Sequence, residues 1–511
     1  MLGNIKSAAL LGIDAYAVDC EVDIAPGLPT FQTVGLPDAA VKESKDRVKS
    51  AVTNSHFNFP IQRITVNLAP ADTKKEGPSF DLPMAVGILV ASERLPQKNA
   101  DGYWIVGELA LDGKIRSIRG ALSIALAARD VGIKGLLVPS DNAKEAAVVQ
   151  ELPVFAVKNL RECFEFLSGT KQIQPTKVNI EEEFRQHSAY KVDFSDVKGQ
   201  ENAKRALEIS AAGGHNILLV GPPGSGKTML AKRLPTILPP LSLEEAIQTT
   251  KIHSIAGTLG RRKALTAVRP FRSPHHTVSD AGLIGGGTIP KPGEVSLAHH
   301  GVLFLDEFPE FNKNVLEVLR QPLEDGMVTI ARVQSTLSFP AQFMLAAAMN
   351  PCPCGYYTDP SRECTCTPHQ IQKYLAKISG PLLDRIDLHI EVPSLKWKEM
   401  SDTKPAESSN AIRARVSKAR EIQQTRFAGE GIHCNAQMAT QQLRKYCILD
   451  EPSQTLLKNA MEKFGLSARA YDRILKVART IADLDGEESI KPAYIAEAIQ
   501  YRNLDRSVWR N

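Results

Sequence analysis

Residues 216–228 read NILLVGPPGSGKT. The apolar run Ile217 to Val220 breaks at Gly221 into Pro222, Pro223, Gly224, Ser225, Gly226, Lys227 and Thr228. This is the phosphate-loop pattern G-x-x-x-x-G-K-[ST], with a strand before it. After it, Met229 to Leu234 predicts a short helix that stops at Pro235. Glycine suits such a loop because backbone N–H groups must close around phosphate oxygens without a side chain in the way. Lys227 supplies a point charge at the β- and γ-phosphates, and the Thr228 hydroxyl is a ligand for Mg2+. ATP with Mg2+ is the predicted cofactor of an α/β domain.

About 80 residues downstream, Gly301 to Glu307 reads GVLFLDE, a buried strand ending in two carboxylates. Asp306 is placed to hold Mg2+, and Glu307, pointing differently, to orient the attacking water. Phe343 to Asn350, FMLAAAMN, is a third apolar strand with a polar amide at its end. Between these two strands, Met327 to Ala331 and Thr336 to Phe339 alternate as a hairpin joined near Arg332 to Ser335.

Directly after Asn350, Cys352, Cys354, Cys364 and Cys366 form C-x-C-x9-C-x-C. Four thiolates held by Pro and Gly turns suit a structural Zn2+, and a set of four leaves no open catalytic position. The alternative is free thiols in a loop. Cys20, Cys163, Cys434 and Cys447 are scattered and are expected to be packing residues. The pairs His275–His276 and His299–His300 carry no metal-ligand spacing and are expected to be structural or interfacial.

The 511-residue chain is long enough for several domains. Its 43% hydrophobic and 23% charged content is that of a soluble globular protein. No apolar run reaches the roughly 18 residues of a membrane span, so no membrane partner is expected. The N-terminus has no clear cleavage site, and an ATP-dependent enzyme with reduced thiols is expected in the cytoplasm. A net charge of +5 permits nucleic-acid binding without arguing for it.

Residues 1–169 alternate strand-like and helix-like pieces: Ile64 to Leu68 and Leu136 to Val138 as strands, Ala121 to Val131 as a helix. An α+β domain is expected. Its segments EGPSFDLPMAVGIL (76–89) and GELALDGKIRSIRGALSIALAARDVGIKGLLVP (107–139) resemble the Lon-type proteolytic domain. That resemblance puts a nucleophilic serine at Ser79, but its activating lysine falls on Leu122. Lys74, Lys75, Lys114 and Lys134 are near in sequence without occupying the motif position, so a catalytically inactive Lon-like domain is expected. Residues 170–190 read as a polar linker in which Glu181 to Glu183 form a solvated face.

Residues 191–394 resemble an AAA+ ATPase core. The turn Lys198–Gly199–Gln200 matches the adenine-side segment of these ATPases, and Asn350 falls at their sensor-1 position. Arg385, in PLLDRID (381–387), matches the arginine finger, which acts in trans and so implies an oligomer. A structural Arg385–Asp387 pair is the alternative. The stretch GLIGGG…GEVSLAHHGVLFLDEF…VLRQPLEDGMVTIAR resembles the helix-2-insert clade, which holds magnesium chelatase ATPase subunits and the MCM helicases. In that clade two loops enter a hexamer's channel, and their tips fall on Lys291 and Arg332, which implies contacts to DNA. Residues 395–511 resemble the helical lid: Lys396 to Ser409 connect, and three or four helices follow to Tyr501. In the helix SARAYDRILKVARTIADL, Ser467 is the N-cap, Arg469 matches sensor 2, and Arg473 is a second candidate.

The order of Lon-like domain, core with PCPCG…CTCT…SGPLLDRIDL, and SNAIRARV…LSARAYDRILKVARTIADL resembles the YifB/ComM family. That resemblance implies a homo-hexameric helicase driving branch migration on single-stranded and branched DNA during natural transformation. A chelatase motor inserting Mg2+ into a porphyrin and an ATP-dependent peptidase are the other readings.

Overall fold

The computed structural model describes every residue except 261–262, 288–289, 333–334, 358, 360–361, 395–405 and 503–511, and the side chains of Arg332 and Ser335. The chain divides into two units, residues 1–188 with 243–267 and residues 189–242 with 268–511.

The first unit is built on strands β1 (Leu2–Leu11), β2 (Asp14–Ala25), β3 (Thr30–Val34), β4 (Arg63–Ala69), β5 (Tyr103–Ile105), β6 (Glu108–Leu109), β7 (Ile115–Arg116), β8 (Gly135–Pro139) and β9 (Val154–Val157). Seven of them form a mixed sheet in the order β3-β4-β2-β1-β5-β8-β9. The helix Asp81–Ala91 is buried along its whole length. It lies so close to the sheet that a Cβ on Gly87 would stand 2.6 Å from Val22 Cγ2, which leaves room only for glycine. The expected strands and the helix Ala121–Val131 form with their ends shifted by no more than one residue.

The helix Leu243–Ala256 lies between the phosphate loop and GVLFLDE in sequence, within the stretch expected to belong to the core, yet it groups with the first unit. The reason is a buried carboxylate. Glu145 Oε1 accepts from the Ser254 hydroxyl at 2.5 Å and from the Leu122 N–H at 2.9 Å. Its Oε2 accepts from Asn142 at 3.2 Å. A carboxylate this deep needs every donor it can gather, and Ser254 supplies one. The expected linker also differs: it contains a helix, Ile180–His187, capped by Asn179, with Glu181, Glu182 and Glu183 in its first turn, where the helix dipole favours them. Glu183 is not simply solvated but lies 3.7 Å from Lys144.

The second unit carries β10 (Ile217–Val220), β11 (Phe271–Arg272), β12 (Gly285–Gly286), β13 (Lys291–Pro292), β14 (Val302–Leu305), β15 (Met327–Arg332), β16 (Ser335–Pro340), β17 (Met344–Met349) and β18 (Leu388–Glu391). Five form a sheet in the order β11-β14-β17-β10-β18, with every neighbouring pair parallel. β10, β14 and β17 are buried at every position, as a sheet covered on both faces requires. β15 and β16 pair from Met327↔Pro340 to Arg332↔Ser335, the predicted hairpin.

The helix after the phosphate loop is longer than predicted, Lys227–Ile237, and Pro235 lies inside it. A proline near the C-terminal end removes one bond, to the Ala231 carbonyl, and a single lost bond does not stop the last turn. The Thr236 hydroxyl donates to Arg233 O at 2.7 Å and secures that turn. Among the described residues the C-terminal stretch holds five α-helices rather than three or four: Ser409–Arg426, Thr440–Tyr446, Glu451–Phe464, Ala468–Asp485 and Pro492–Gln500. Thr440–Tyr446 is too short to show a helical period in sequence. Ser467 caps its helix by accepting from Ala470 N. Most of the connector 396–409 lies outside the described residues.

Candidate functional site

The loop after β10 turns through Gly224 and Gly226, whose φ angles of 78° and 92° suit glycine alone. Gly221 is needed for a reason the sequence did not suggest: a Cβ there would stand 2.1 Å from the Val392 carbonyl oxygen. Lys227 opens the following helix, and its ammonium donates to Gly221 O at 2.7 Å, Pro222 O at 2.8 Å and Asn350 Oδ1 at 3.2 Å. Burial lowers the pKa of Lys227, and Asp306 works in the opposite direction. The Ser225 hydroxyl is buried without a partner among the described residues, a polar atom poised inside the loop. Gln200, with φ of 60°, donates to Ser225 O at 3.3 Å and Pro393 O at 2.8 Å, so the Lys198–Gly199–Gln200 turn braces the same loop.

The parallel order sets β14 and β10 on either side of β17, and the chemistry gathers at their carboxyl ends. Asp306 Oδ2 accepts from the Thr228 hydroxyl at 2.6 Å, and its Oδ1 accepts from the Glu307 N–H at 3.0 Å. A hydroxyl and a carboxylate this close form the hard oxygen pair that Mg2+ takes beside substrate phosphates. Glu307 has a left-handed backbone with φ of 52°, and its Oε2 lies 3.2 Å from His276 Nδ1, while Asp306 binds Thr228. His276, expected to be structural or interfacial, lies beside the Glu307 carboxylate, a pairing that its sequence neighbours do not signal. Tyr374 was also missed. Burial raises the pKa of its phenol, and the Asn350 N–H, which donates to the phenol oxygen, works in the opposite direction.

Lys227, Thr228, Asp306, Glu307 and Asn350 thus converge. Arg385 and Arg469 stand apart from them. Arg385 is 6% exposed; its guanidinium donates to Pro381 O at 2.6 Å and pairs with Glu324. The alternative partner, Asp387, pairs instead with Arg473 and with His215 Nδ1 at 3.2 Å. Arg473 therefore ties the helix Ala468–Asp485 to the end of the sheet. Arg469 is 64% exposed, 3.6 Å from Asp384. Lys291 is exposed in β13, and Arg332 ends β15, its side chain outside the described residues.

The four clustered cysteines come together. Sγ–Sγ distances are 3.3 Å for Cys352–Cys354, 3.5 Å for Cys354–Cys364 and 3.7 Å for Cys352–Cys364. These three sulfurs and that of Cys366 all lie within 4.8 Å of one another, and none is in a disulfide. A tetrahedron of Zn–S bonds has edges of about 3.8 Å. Cys352 Sγ accepts from Gly355 N at 3.2 Å and Tyr357 N at 3.3 Å. The Tyr356 N–H pulls the Cys354 thiol down to about 5. The Cys364 and Cys366 thiols are instead raised, with burial and the neighbouring sulfurs among the causes, so it is the closeness of the four sulfurs to a tetrahedral edge that fits Zn2+. The clip packs on the phosphate loop: a Cβ on Gly355 would stand 2.6 Å from Pro223 Cδ.

In the first unit, Ser79 sits in the short turn Pro78–Phe80, and Leu122 is fully buried. The four nearby lysines are held by other groups: Lys74 by Glu76 at 3.4 Å, Lys75 by Thr73 O at 2.7 Å, Lys114 by Asp112 at 2.9 Å and Lys134 by Asp101 O at 3.1 Å. Cys20, Cys163, Cys434 and Cys447 are buried, as packing residues should be. Among the described residues no helix is long and apolar enough to cross a membrane.

A phosphate loop, an acidic strand end and a polar strand end on one parallel sheet define an AAA+ nucleotide-binding unit, and its kind is that of magnesium chelatase. The family described as magnesium chelatase, subunit ChlI, matches residues 193–400; two further chelatase models, subunit ChlI and its C-terminal part, match 20–142 and 406–502. The chain is 45% identical to competence protein ComM of Haemophilus influenzae, over 99% of this chain and 98% of the relative. It is 44% identical to the uncharacterized protein YifB of Escherichia coli over the same shares. The chain belongs to the YifB/ComM family of magnesium-chelatase-type AAA+ proteins. A weaker likeness, 27% over 154 residues, links 28% of the chain to 19% of the Lon protease of Halothermothrix orenii.

Proposed function

We propose that this protein is an ATP-hydrolysing ring motor that moves DNA. The observation that carries the ATPase is the convergence of Lys227, Thr228, Asp306, Glu307 and Asn350 at the ends of three neighbouring strands. In this reading Thr228 and Asp306 hold Mg2+, which neutralises charge on the phosphates. Lys227 leaves the loop carbonyls for the β- and γ-phosphate oxygens. Glu307 orients the attacking water, and Asn350 fixes the γ-phosphate or that water. Arg385 acts on the nucleotide of the next subunit in a homo-hexamer, and Arg469, on a helical lid formed by residues 395–511, covers the γ-phosphate. Cys352, Cys354, Cys364 and Cys366 hold a closed structural Zn2+.

The DNA part rests on different support. ComM is named a competence protein, and the likeness to it spans nearly the whole of both chains. β12–β13 and β15–β16 are the two inserted hairpins of a helix-2-insert motor, and they bring Lys291 and Arg332 to the channel. Single-stranded and branched DNA are the proposed substrates, and branch migration during recombination of incoming DNA is the proposed task, carried out in the cytoplasm. The Lon-like domain is inactive as a peptidase in this reading, because buried Leu122 replaces the base and the nearby lysines are held by other groups.

ATP turnover with and without single-stranded and branched oligonucleotides, measured beside oligomer size, tests the proposal. DNA-stimulated turnover by a ring is expected. Turnover indifferent to both DNA forms would overturn the DNA reading, and no turnover at all would overturn the motor.

A further inference from the structure

Arg385 presents a conflict if it is a finger: a guanidinium that reaches a neighbour's phosphate has to be free at the surface, yet this one is 6% exposed and bound to Glu324. Its Nε is buried without a partner among the described residues. Glu324 is the replaceable member of the pair, being 55% exposed. Both line a cavity of about 520 Å³, whose charged walls are Glu317, Glu324 and Asp325 against Arg320 and Arg385. Three carboxylates against two guanidiniums make the cavity net negative: Arg320 is paired with Glu317 at 3.0 Å and Arg385 with Glu324, which leaves the carboxylate of Asp325 in excess. A phosphate cannot approach Arg385 favourably until Glu324 leaves it.

What moves Glu324 is also in the cavity wall. Glu324 is the penultimate residue of the short helix Arg320–Asp325, and Gly326, with φ of 64°, turns the chain straight into β15. Val328 and Thr329 of β15 line the same cavity, as does Ile284 at the root of β12. The two hairpins touch: a Cβ on Gly285 would stand 3.0 Å from Ile330 Cδ1. The roots of both hairpins and the pair that restrains Arg385 therefore share one small volume. Packed elements do not deform continuously, so a shift of β15 carries the attached Glu324 with it.

We propose that Glu324 is a latch that holds Arg385 away from the neighbouring nucleotide until a polymer loaded on the hairpins pulls it off. The latch rests on the finger and channel readings above and deepens them: it names the residue through which DNA stimulates turnover. Glu324 is a positioning residue; it touches neither nucleotide nor DNA.

The test compares wild type, Glu324→Gln, Glu324→Asp and Arg385→Ala for kcat and ATP affinity, with and without a dT oligonucleotide of about 40 nucleotides. Equal binding of a fluorescent ATP analogue establishes that each variant is folded. Glu324→Gln is expected to raise kcat without DNA roughly fivefold, the scale of a partly exposed ion pair. It should also leave nucleotide affinity unchanged and bring the stimulation ratio close to one. Glu324→Asp, which keeps the charge, should retain most of the stimulation. If Glu324→Gln has wild-type or lower kcat and a wild-type stimulation ratio, the latch is overturned, while lost turnover in Arg385→Ala would preserve the finger. Wild-type turnover in Arg385→Ala would overturn the finger and the latch together, and a wild type indifferent to the oligonucleotide would remove the coupling to DNA.

Discussion

The Thr228 hydroxyl and an Asp306 carboxylate oxygen lie 2.6 Å apart, although 78 residues separate them in the chain. The helix Lys227–Ile237 begins there beside the end of β14, because β14 and β10 flank β17 in one parallel sheet. Glu307, the next residue, has a left-handed backbone and lies beside His276. The proposed mechanism gives these two neighbouring acidic residues separate tasks, metal holding for Asp306 and water orientation for Glu307. Glu307→Gln should bind ATP normally and lose turnover by roughly 10²–10⁴, the range for a positioned general base. Single-turnover hydrolysis at the wild-type rate would refute that division.

Arg385 makes no contact with Lys227, Thr228 or Asp306 of its own chain among the contacts described. If it serves a neighbour, Arg385→Ala should bind ATP and lose roughly 10³–10⁵ in rate. Mixing it with Lys227→Ala should restore part of the activity, since some mixed interfaces hold one intact nucleotide site and one intact finger. Subunits that co-assemble, by light scattering, yet show no recovery would argue against action in trans.

The sulfur cluster abuts Pro223 through Gly355, so the four cysteines and the phosphate loop share a wall. Freshly purified, reduced protein should carry about one zinc per chain. Cys364→Ser should lose the metal, lower Tm and weaken ATP binding. Metal analysis that finds no zinc would favour free thiols.

Asp387 is 1% exposed. Burial pushes its carboxyl up, but Arg473 and His215 outweigh that and hold it well below the usual carboxylate range. A depressed folded-state pKa means that the stabilisation is fully present above the unfolded value of about 3.9 and is lost as pH falls through the folded value. Asp387→Asn leaves the partly exposed Arg473 without its counter-ion and should cost about 3 kcal/mol at neutral pH, the lower end for a broken buried pair. Its stability should also fall less steeply on acidification. Urea midpoints at neutral and acid pH check both, and equal slopes for the two proteins would contradict the assignment.

Lys291 is exposed on β13, and Arg332 ends the opposite hairpin's first strand. One of each per subunit would give a six-membered ring about twelve phosphate contacts. The double variant Lys291→Ala, Arg332→Ala should flatten the dependence of DNA affinity on salt and abolish unwinding of a branched substrate. Basal ATP turnover should remain. Normal unwinding by the double variant would dispose of the channel model.

The local elements were legible from residues alone. A strand that breaks into GPPGSGKT, an apolar run ending in Asp306–Glu307, and four cysteines at C-x-C-x9-C-x-C carry their chemistry in type and spacing, which neighbours in sequence set. The hairpin Met327–Pro340 and the cap at Ser467 were legible for the same reason. Pairings between distant segments were not. That Ser254 completes the shell of buried Glu145, that His276 faces Glu307, and that Asp387 binds Arg473 while Arg385 binds Glu324 all depend on which surfaces the folded sheets bring together. A charged side chain has the same composition and period whatever partner it meets. Only burial makes one partner obligatory, because a buried charge without a counter-charge is too costly to keep.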